Sequence, residues 1–249
     1  MPMPLIIAID GPAGAGKSTV ARELASRLRL PYVDSGATYR AAALKVLESG
    51  ADPTDASAVT SVIDGARIEF TARDGESHAL LDGRDVTHLI RTRAVTLAAA
   101  QVSRLPEVRV KLIALQRGLA AQGAVMEGRD IGTVVFPEAP LKIFLEADPG
   151  ERARRRLEQE EAQGHGSSLT QTAEEIRQRD QLDAERKVSP LIPAEDAVRI
   201  DSTKLSAEAV VEQVLRLARE RNLIDESRTQ KNERGAESGE RSSTIRNQR

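Results

Sequence analysis

"LIIAIDGPAGAGKSTVARELASRL", residues 5–28, decides the fold of this chain. Leu5-Ile6-Ile7-Ala8-Ile9 is an unbroken apolar run of strand length, the mark of a strand buried on both faces in a parallel sheet. From Ser18 to Leu28 the period changes, and Val20, Ala21, Leu24, Ala25 and Leu28 share one helical face. Between the two lies "GPAGAGKST", which matches G-x-x-x-x-G-K-[ST] in the strand–loop–helix setting that motif requires. Gly11, Pro12, Ala13, Gly14, Ala15 and Gly16 can turn the backbone inward around phosphate oxygens, and the helix N-terminus adds its partial positive charge. Lys17 can reach the β- and γ-phosphates, the Ser18 hydroxyl can ligate Mg²⁺, and Thr19 closes the motif. The stretch predicts a nucleoside triphosphate site.

Outward from that unit, short apolar runs alternate with helix-period segments. Tyr32-Val33, Ala124–Met126, Leu141–Leu145 and Val198–Ile200 read as further strands; 37–49, 92–104, 107–121, 149–162, 172–187 and 206–221 read as helices. The pattern predicts an α/β fold of the P-loop NTPase type: a five-stranded parallel sheet with helices on both faces. One segment breaks the rhythm. Asp74-Gly75 and Asp82-Gly83, flanked by alternating runs such as Ile68/Phe70, predict a small antiparallel insert of about three strands near 64–90. Residues 225–249 carry six basic and five acidic side chains with a single Ile, and predict a disordered polar tail after a domain spanning 1–224.

Composition narrows the class. The chain has 249 residues, a formal net charge of −2, no Cys, no Trp, two Tyr and three Phe. This is the balance of a globular enzyme. It offers no basic surface for nucleic acid, no aromatic platform for single strands and no thiol chemistry. "MPMPLIIAID" has neither the basic start nor the apolar length of a leader or a membrane span, so the expectation is a cytoplasmic protein with no membrane or nucleic-acid partner. One compact domain predicts a monomer. His78, His88 and His165 lie far apart in polar surroundings and predict no metal cluster.

A phosphate-binding loop does not say where the γ-phosphate goes. The chain lacks the N-K-x-D guanine-reading sequence of a GTPase, but it is rich in arginine, as a small-molecule kinase must be to neutralise charge in transfer. "DSGATYR", Asp34 to Arg40, follows the second strand, where open α/β sheets place ligands; Asp34 or Ser35 could equally be a plain helix cap. "RDQLDAER" puts Arg179, Asp183 and Arg186 on one narrow helical face, either as a solvated surface or as a grip on phosphate and ribose. "ERARRRLEQE" (151–160) and the Gly164/Gly166 connection resemble an Arg-rich lid over about 149–171, a plain solvated helix being the competing reading. "MEGRDIGTVVF", 126–136, sets Arg129 and Asp130 at the end of a buried strand, where charges cost free energy unless paired or used.

Taken in order, "IDGPAGAGKST", "DSGATYRA", "IRT" (90–92), "PEVR" (106–109), "GRDIGTVVFPEAPLKIFLEA" (128–147) and "RDQLDAERKVSPLIPAEDAVRIDST" (179–203) resemble the bacterial cytidylate kinases over residues 5 to about 220. The resemblance implies transfer of the ATP γ-phosphate to CMP or dCMP, with Mg²⁺. It implies that Asp130 accepts from the cytosine amino group and Arg109 donates to the acceptor edge of the base. Arg129 would hold phosphate or brace the site. Ser35, Arg40 and Arg186 belong with the acceptor phosphate, Arg179 and Asp183 near phosphate and ribose, and Arg91 on the acceptor side. Arg155 or Arg156 would approach the transferring phosphoryl group, making them catalytic together with Lys17 and Arg186. Ala100-Gln101 departs from the family, which has Ser where this chain has Ala100. "GRDV" at 83–86 echoes "GRDI" at 128–131 without matching flanks and reads as coincidence. The alternatives are another small P-loop kinase, acting on UMP or a non-nucleotide alcohol, and a nucleotide-dependent module without catalysis.

Overall fold

The computed structural model describes residues 4–73, 76–162, 166, 168–186 and 189–225. The Asp74-Gly75 turn, the Gly164 hinge with His165, and residues 226–249 of the expected tail lie outside the described residues.

Strand β1 (Ile6–Asp10) is buried along its whole length and occupies the centre of a five-stranded sheet. With β2 (Tyr32–Asp34), β6 (Ala124–Gly128), β7 (Leu141–Glu146) and β8 (Val198–Asp201) the order is β2-β6-β1-β7-β8, every pairing parallel. The register sets Ile9 beside Glu127 and Asp10 beside Gly128, so the motif-bearing ends line up on one edge. On one face, α1 (Lys17–Leu28) and α8 (Ala207–Glu220) bury Val20, Leu24, Leu28, Val211 and Val214 against Ile7, Ile9 and Ile143. On the other face Ile6, Ala8, Val33 and Met126 meet Ile131, Val135 and the flank of α5 (Pro106–Leu119).

A second core supports the acceptor side. Helix α2 (Ser35–Ser49) buries Ala41, Ala42 and Ala43, whose small side chains allow close packing against α4 (Arg93–Val102). Strands β3 (Ile68–Arg73), β4 (Glu76–Leu81) and β5 (Arg84–Asp85) form the expected antiparallel insert, with Ile68, Ala79 and Leu81 turned into this core. Arg84 and Asp85 are used locally, on Glu48 and on His78 and Thr87. Helix α3 (Ala56–Asp64) was not among the expected elements. "ASAVTSVID" buries only Val59 and Ile63 and owes its start to Asp55, which accepts from the N–H groups of Ser57 and Ala58. The expected 92–104 helix stops at Val102, and the 172–187 helix, α7, runs over Leu169–Ala184 from a Ser168/Gln171 capping box. It packs on α6 (Pro149–Ala162). Among the described residues no helix is long and apolar enough to cross a membrane.

Leu24 is fully buried between β1 and α8. Leu24→Ala is expected to cost about 2–5 kcal/mol, read as a lowered denaturant midpoint with an unchanged slope.

Candidate active site

At Asp10 the chain leaves β1 and folds back. Gly11 (φ +146°) passes so close to β7 that a Cβ there would lie 2.1 Å from the Leu145 carbonyl oxygen; one on Gly14 (φ +76°) would lie 2.7 Å from that of Arg152. Gly16 then opens α1 in the left-handed conformation, and no side chain caps the first-turn amides. Those amides and the helix dipole form an anion cradle. The Ala13 peptide is held on both sides: its N–H donates to Asp180 at 3.1 Å and its carbonyl accepts from Arg152 at 3.0 Å. Arg152 and Asp180 pair with each other, so α6 and α7 are tied to the loop.

Lys17 is 6% exposed and donates to the Pro12 carbonyl at 2.7 Å. Burial, then the charges of Arg129 and Arg179, pull its ammonium down to about 7, against Glu127 and Asp10, which hold it up. Outside Gly16 and Thr19 lies a cavity of about 530 Å³, lined among others by Val20, Arg154, Arg155, Ser202 and Lys204.

The residues expected on the acceptor side gather across the edge from Lys17. Asp183 is 3% exposed and receives Arg129 Nε at 2.7 Å and Arg186 on its other oxygen. Burial works to raise its pKa, but Arg129, Arg186 and Arg179 outweigh it and hold the carboxyl below the usual range. Arg179 adds charge without a hydrogen bond to Asp183 among the described residues, so Arg129 and Arg186 are what fix this face. Its surface is open to the cleft while protein surrounds it on most sides. That partial burial, with Arg129 and Arg40 nearby, draws its pKa down to about 10, against the pull of Asp183.

Arg109 is buried and paired with Asp130, with its guanidinium 5.5 Å from the centre of the Tyr39 ring. Ser103 links the two halves. Its carbonyl accepts from Arg109 and its hydroxyl from Arg186, each at 3.3 Å, one helical turn beyond the hydroxyl-less Ala100. Asp34 caps α2, accepting from Ala37, and its other oxygen receives Arg40 at 2.7 Å. Ser35 is buried against Gly128, where a Cβ would come within 2.4 Å of its hydroxyl oxygen. Arg91 is exposed and close enough to Asp34 to lower its pKa further. Arg40 Nε and Arg109 Nε are buried with no hydrogen-bond partner among the described residues.

The two expected lid arginines take different partners. Arg155 is held by Glu151 and by both the hydroxyl and the carbonyl of Ser202, beside the cavity and next to Gly16. Successive residues of α6 point about 100° apart, which packs Arg155 against Ser202 and sends Arg156 to Glu160 and toward Arg179. Sequence reasoning gave no site role to Asp10, Glu127, Asp180 or Ser103, and took Arg152 only as part of the basic 151–160 run. Glu127, buried at the end of β6, accepts from the Tyr32 hydroxyl at 2.6 Å and faces Lys17. Its place just before "GRDI" was the available signal.

The family model for cytidylate kinase matches residues 7–220. The chain belongs to the cytidylate kinase family. It is 49% identical over 216 residues to the cytidylate kinase of Geobacillus kaustophilus, covering 86% of this chain and 96% of that one. It is 49% identical over 215 residues to that of Pseudomonas aeruginosa, covering 85% and 93%. To that of Caldicellulosiruptor bescii it is 47% identical over 212 residues, covering 85% and 94%.

The depressed Lys17 ammonium has a measurable consequence. At pH 8 it is largely neutral, and a bound triphosphate would restore its charge. Calorimetry of ATP binding in buffers of different ionisation enthalpy is expected to show uptake approaching one proton at pH 8, fading toward pH 6 and missing in Lys17→Met.

Proposed function

We propose that this chain transfers the γ-phosphate of ATP to CMP or dCMP, giving the diphosphate and ADP. The observation that carries this reading is the buried Arg109–Asp130 pair. A carboxylate and a guanidinium, both nearly sealed from water, face the same cleft as the arginines around Asp183, and Arg109 keeps one buried donor unfilled. Cytosine offers an amino donor and a ring acceptor side by side, which complement a carboxylate and a guanidinium; uracil reverses both. A buried hydrogen-bonding site rejects the wrong base because its own groups are then left unpaired.

The acceptor phosphate would be gripped by Arg40, Arg186 and Ser35, with Arg91 at the rim and Arg129 and Arg179 toward the transferred group. Arg40 Nε, buried and unfilled among the described residues, fits an incoming phosphate oxygen. Asp183 holds Arg129 and Arg186 in place and stands near the ribose. On the donor side the amides of Gly11 to Thr19 and Lys17 cradle the triphosphate, and the cavity beside Arg155 and Ser202 takes the donor base. Residues 1–224 would act as one catalytic domain, with 64–90 as the acceptor-side insert and 149–171 as the lid.

The partly exposed Ser18 hydroxyl and the Glu127 carboxylate facing Lys17 are oxygen donors, which suit Mg²⁺. Ser18 would hold that ion, whose chemistry is to neutralise charge on the phosphates. The attacking group is an acceptor phosphate oxygen, already ionised near neutral pH, so no side chain need act as base. Catalysis rests on positioning and on guanidinium and ammonium charge around the phosphoryl group, with Arg156 on the lid side.

A coupled ADP-release assay across CMP, dCMP, UMP and AMP tests the reading. CMP and dCMP are expected to turn over with kcat/KM well above UMP and AMP. Arg186→Ala is expected to lose about 10³-fold or more in kcat. Equal turnover of CMP and UMP, or near-normal kcat in Arg186→Ala at saturating CMP, would refute it.

A further inference from the structure

We propose that Asp10 is a positioning residue for base recognition: it caps the turn after Asp130 and so frees the Asp130 carboxylate to face the base. The inference rests on the acceptor reading of Asp130 given above.

Residues Ile131–Val135 form a single wide helical turn, with the N–H of Val135 donating to Asp130 O and that of Phe136 to Ile131 O. Asp130 occupies the cap position of that turn. An aspartate there ordinarily folds its own carboxylate back onto the first amides, which otherwise lack partners. Asp130 makes no such bond; its carboxylate goes to Arg109. The cap comes instead from the neighbouring strand. Asp10, the last residue of β1, accepts from the N–H of Ile131 at 2.8 Å on one oxygen and from that of Gly132 at 2.7 Å on the other.

The contact joins the two halves of the cleft. Asp10 directly precedes Gly11 of the phosphate loop, and the amides it binds directly follow Arg129 and Asp130. It is 4% exposed, and a Cβ on Gly132 would lie 3.4 Å from its oxygen and 3.1 Å from the Lys142 stem, so the turn has little room to move. Burial pushes the Asp10 carboxyl up to about 6 and Asp130 adds to that, while the two amides and Lys17 pull it down. At pH 8 it is therefore ionised and can accept on both oxygens. Without it, the orphaned amides would compete with Arg109 for Asp130.

Asp10→Asn tests this in the full-length chain at pH 8, with steady-state constants for CMP, UMP and ATP. The amide keeps the shape but turns an N–H toward one of the two donors. The kcat/KM preference for CMP over UMP is expected to fall about tenfold or more, carried by a higher KM for CMP, with KM for ATP within about twofold of the parent. Asp10→Ser leaves at most one shorter acceptor for the two amides and is expected to lower the preference about threefold. It also carries the test if Asp10→Asn does not fold. A preference undiminished in either folded variant would overturn the role of Asp10 alone. So would a parallel rise in KM for ATP and CMP with the preference kept, which is what general loosening would give. No CMP preference in the parent chain would overturn the acceptor reading and the Asp10 role with it.

Discussion

Three guanidiniums share one buried carboxylate at the carboxyl edge of the main sheet, and the rest of the site is arranged around that imbalance. Asp183 receives Arg129 and Arg186 and faces Arg179, while Lys17 stands near enough to Arg129 and Arg179 for its own charge to be suppressed. At 4 Å and an effective dielectric of 20, a pair of charges interacts by about 4 kcal/mol, so the surplus of positive charge is a strong preference for anions. Removing Asp183 would take the main counter-charge from the half-buried Arg129 and Arg186, at a cost of up to about 3–5 kcal/mol. The same physics makes the cleft receptive to two phosphate groups at once, one from each nucleotide.

Geometry turns that receptivity into a reaction site. Parallel pairing brings the ends of β1 and β6 level, so the phosphate loop and the "GRDI" segment start side by side. Close backbone passages at Gly11 and Gly14 press the loop onto β7 and α6, and the Arg152–Asp180 pair joins the loop to α6 and α7 through Ala13. The alanine-rich face of α2 and the insert hold α4 where Ser103 can meet both Arg109 and Arg186. Donor and acceptor groups are thereby fixed by separate cores that meet at one edge.

Much of this was legible in the sequence. The five strands, the phosphate loop and the antiparallel insert announce themselves through period and turn chemistry, and most of the acceptor residues fall where strand ends and helix faces put them. The parts that were not legible depend on contacts between distant segments. Asp10 is bonded to amides more than a hundred positions away, and nothing local marks it as a cap. Helix α3 has two apolar anchors in nine residues, too few for a period to stand out. Arg155 and Arg156 are neighbours in a basic run, and only the rotation of α6 shows that Arg155 lies beside the cavity and Arg156 nearer Arg179.

The most direct measurement of the central claim is a crystal structure of the chain with CMP and a non-transferable ATP analogue. The account predicts the cytosine amino group on the Asp130 carboxylate, the CMP phosphate among Ser35, Arg40 and Arg186, and the adenine in the cavity beside Arg155 and Ser202. A cytosine seated away from Asp130, or CMP held on the Arg155 side of the loop, would contradict it.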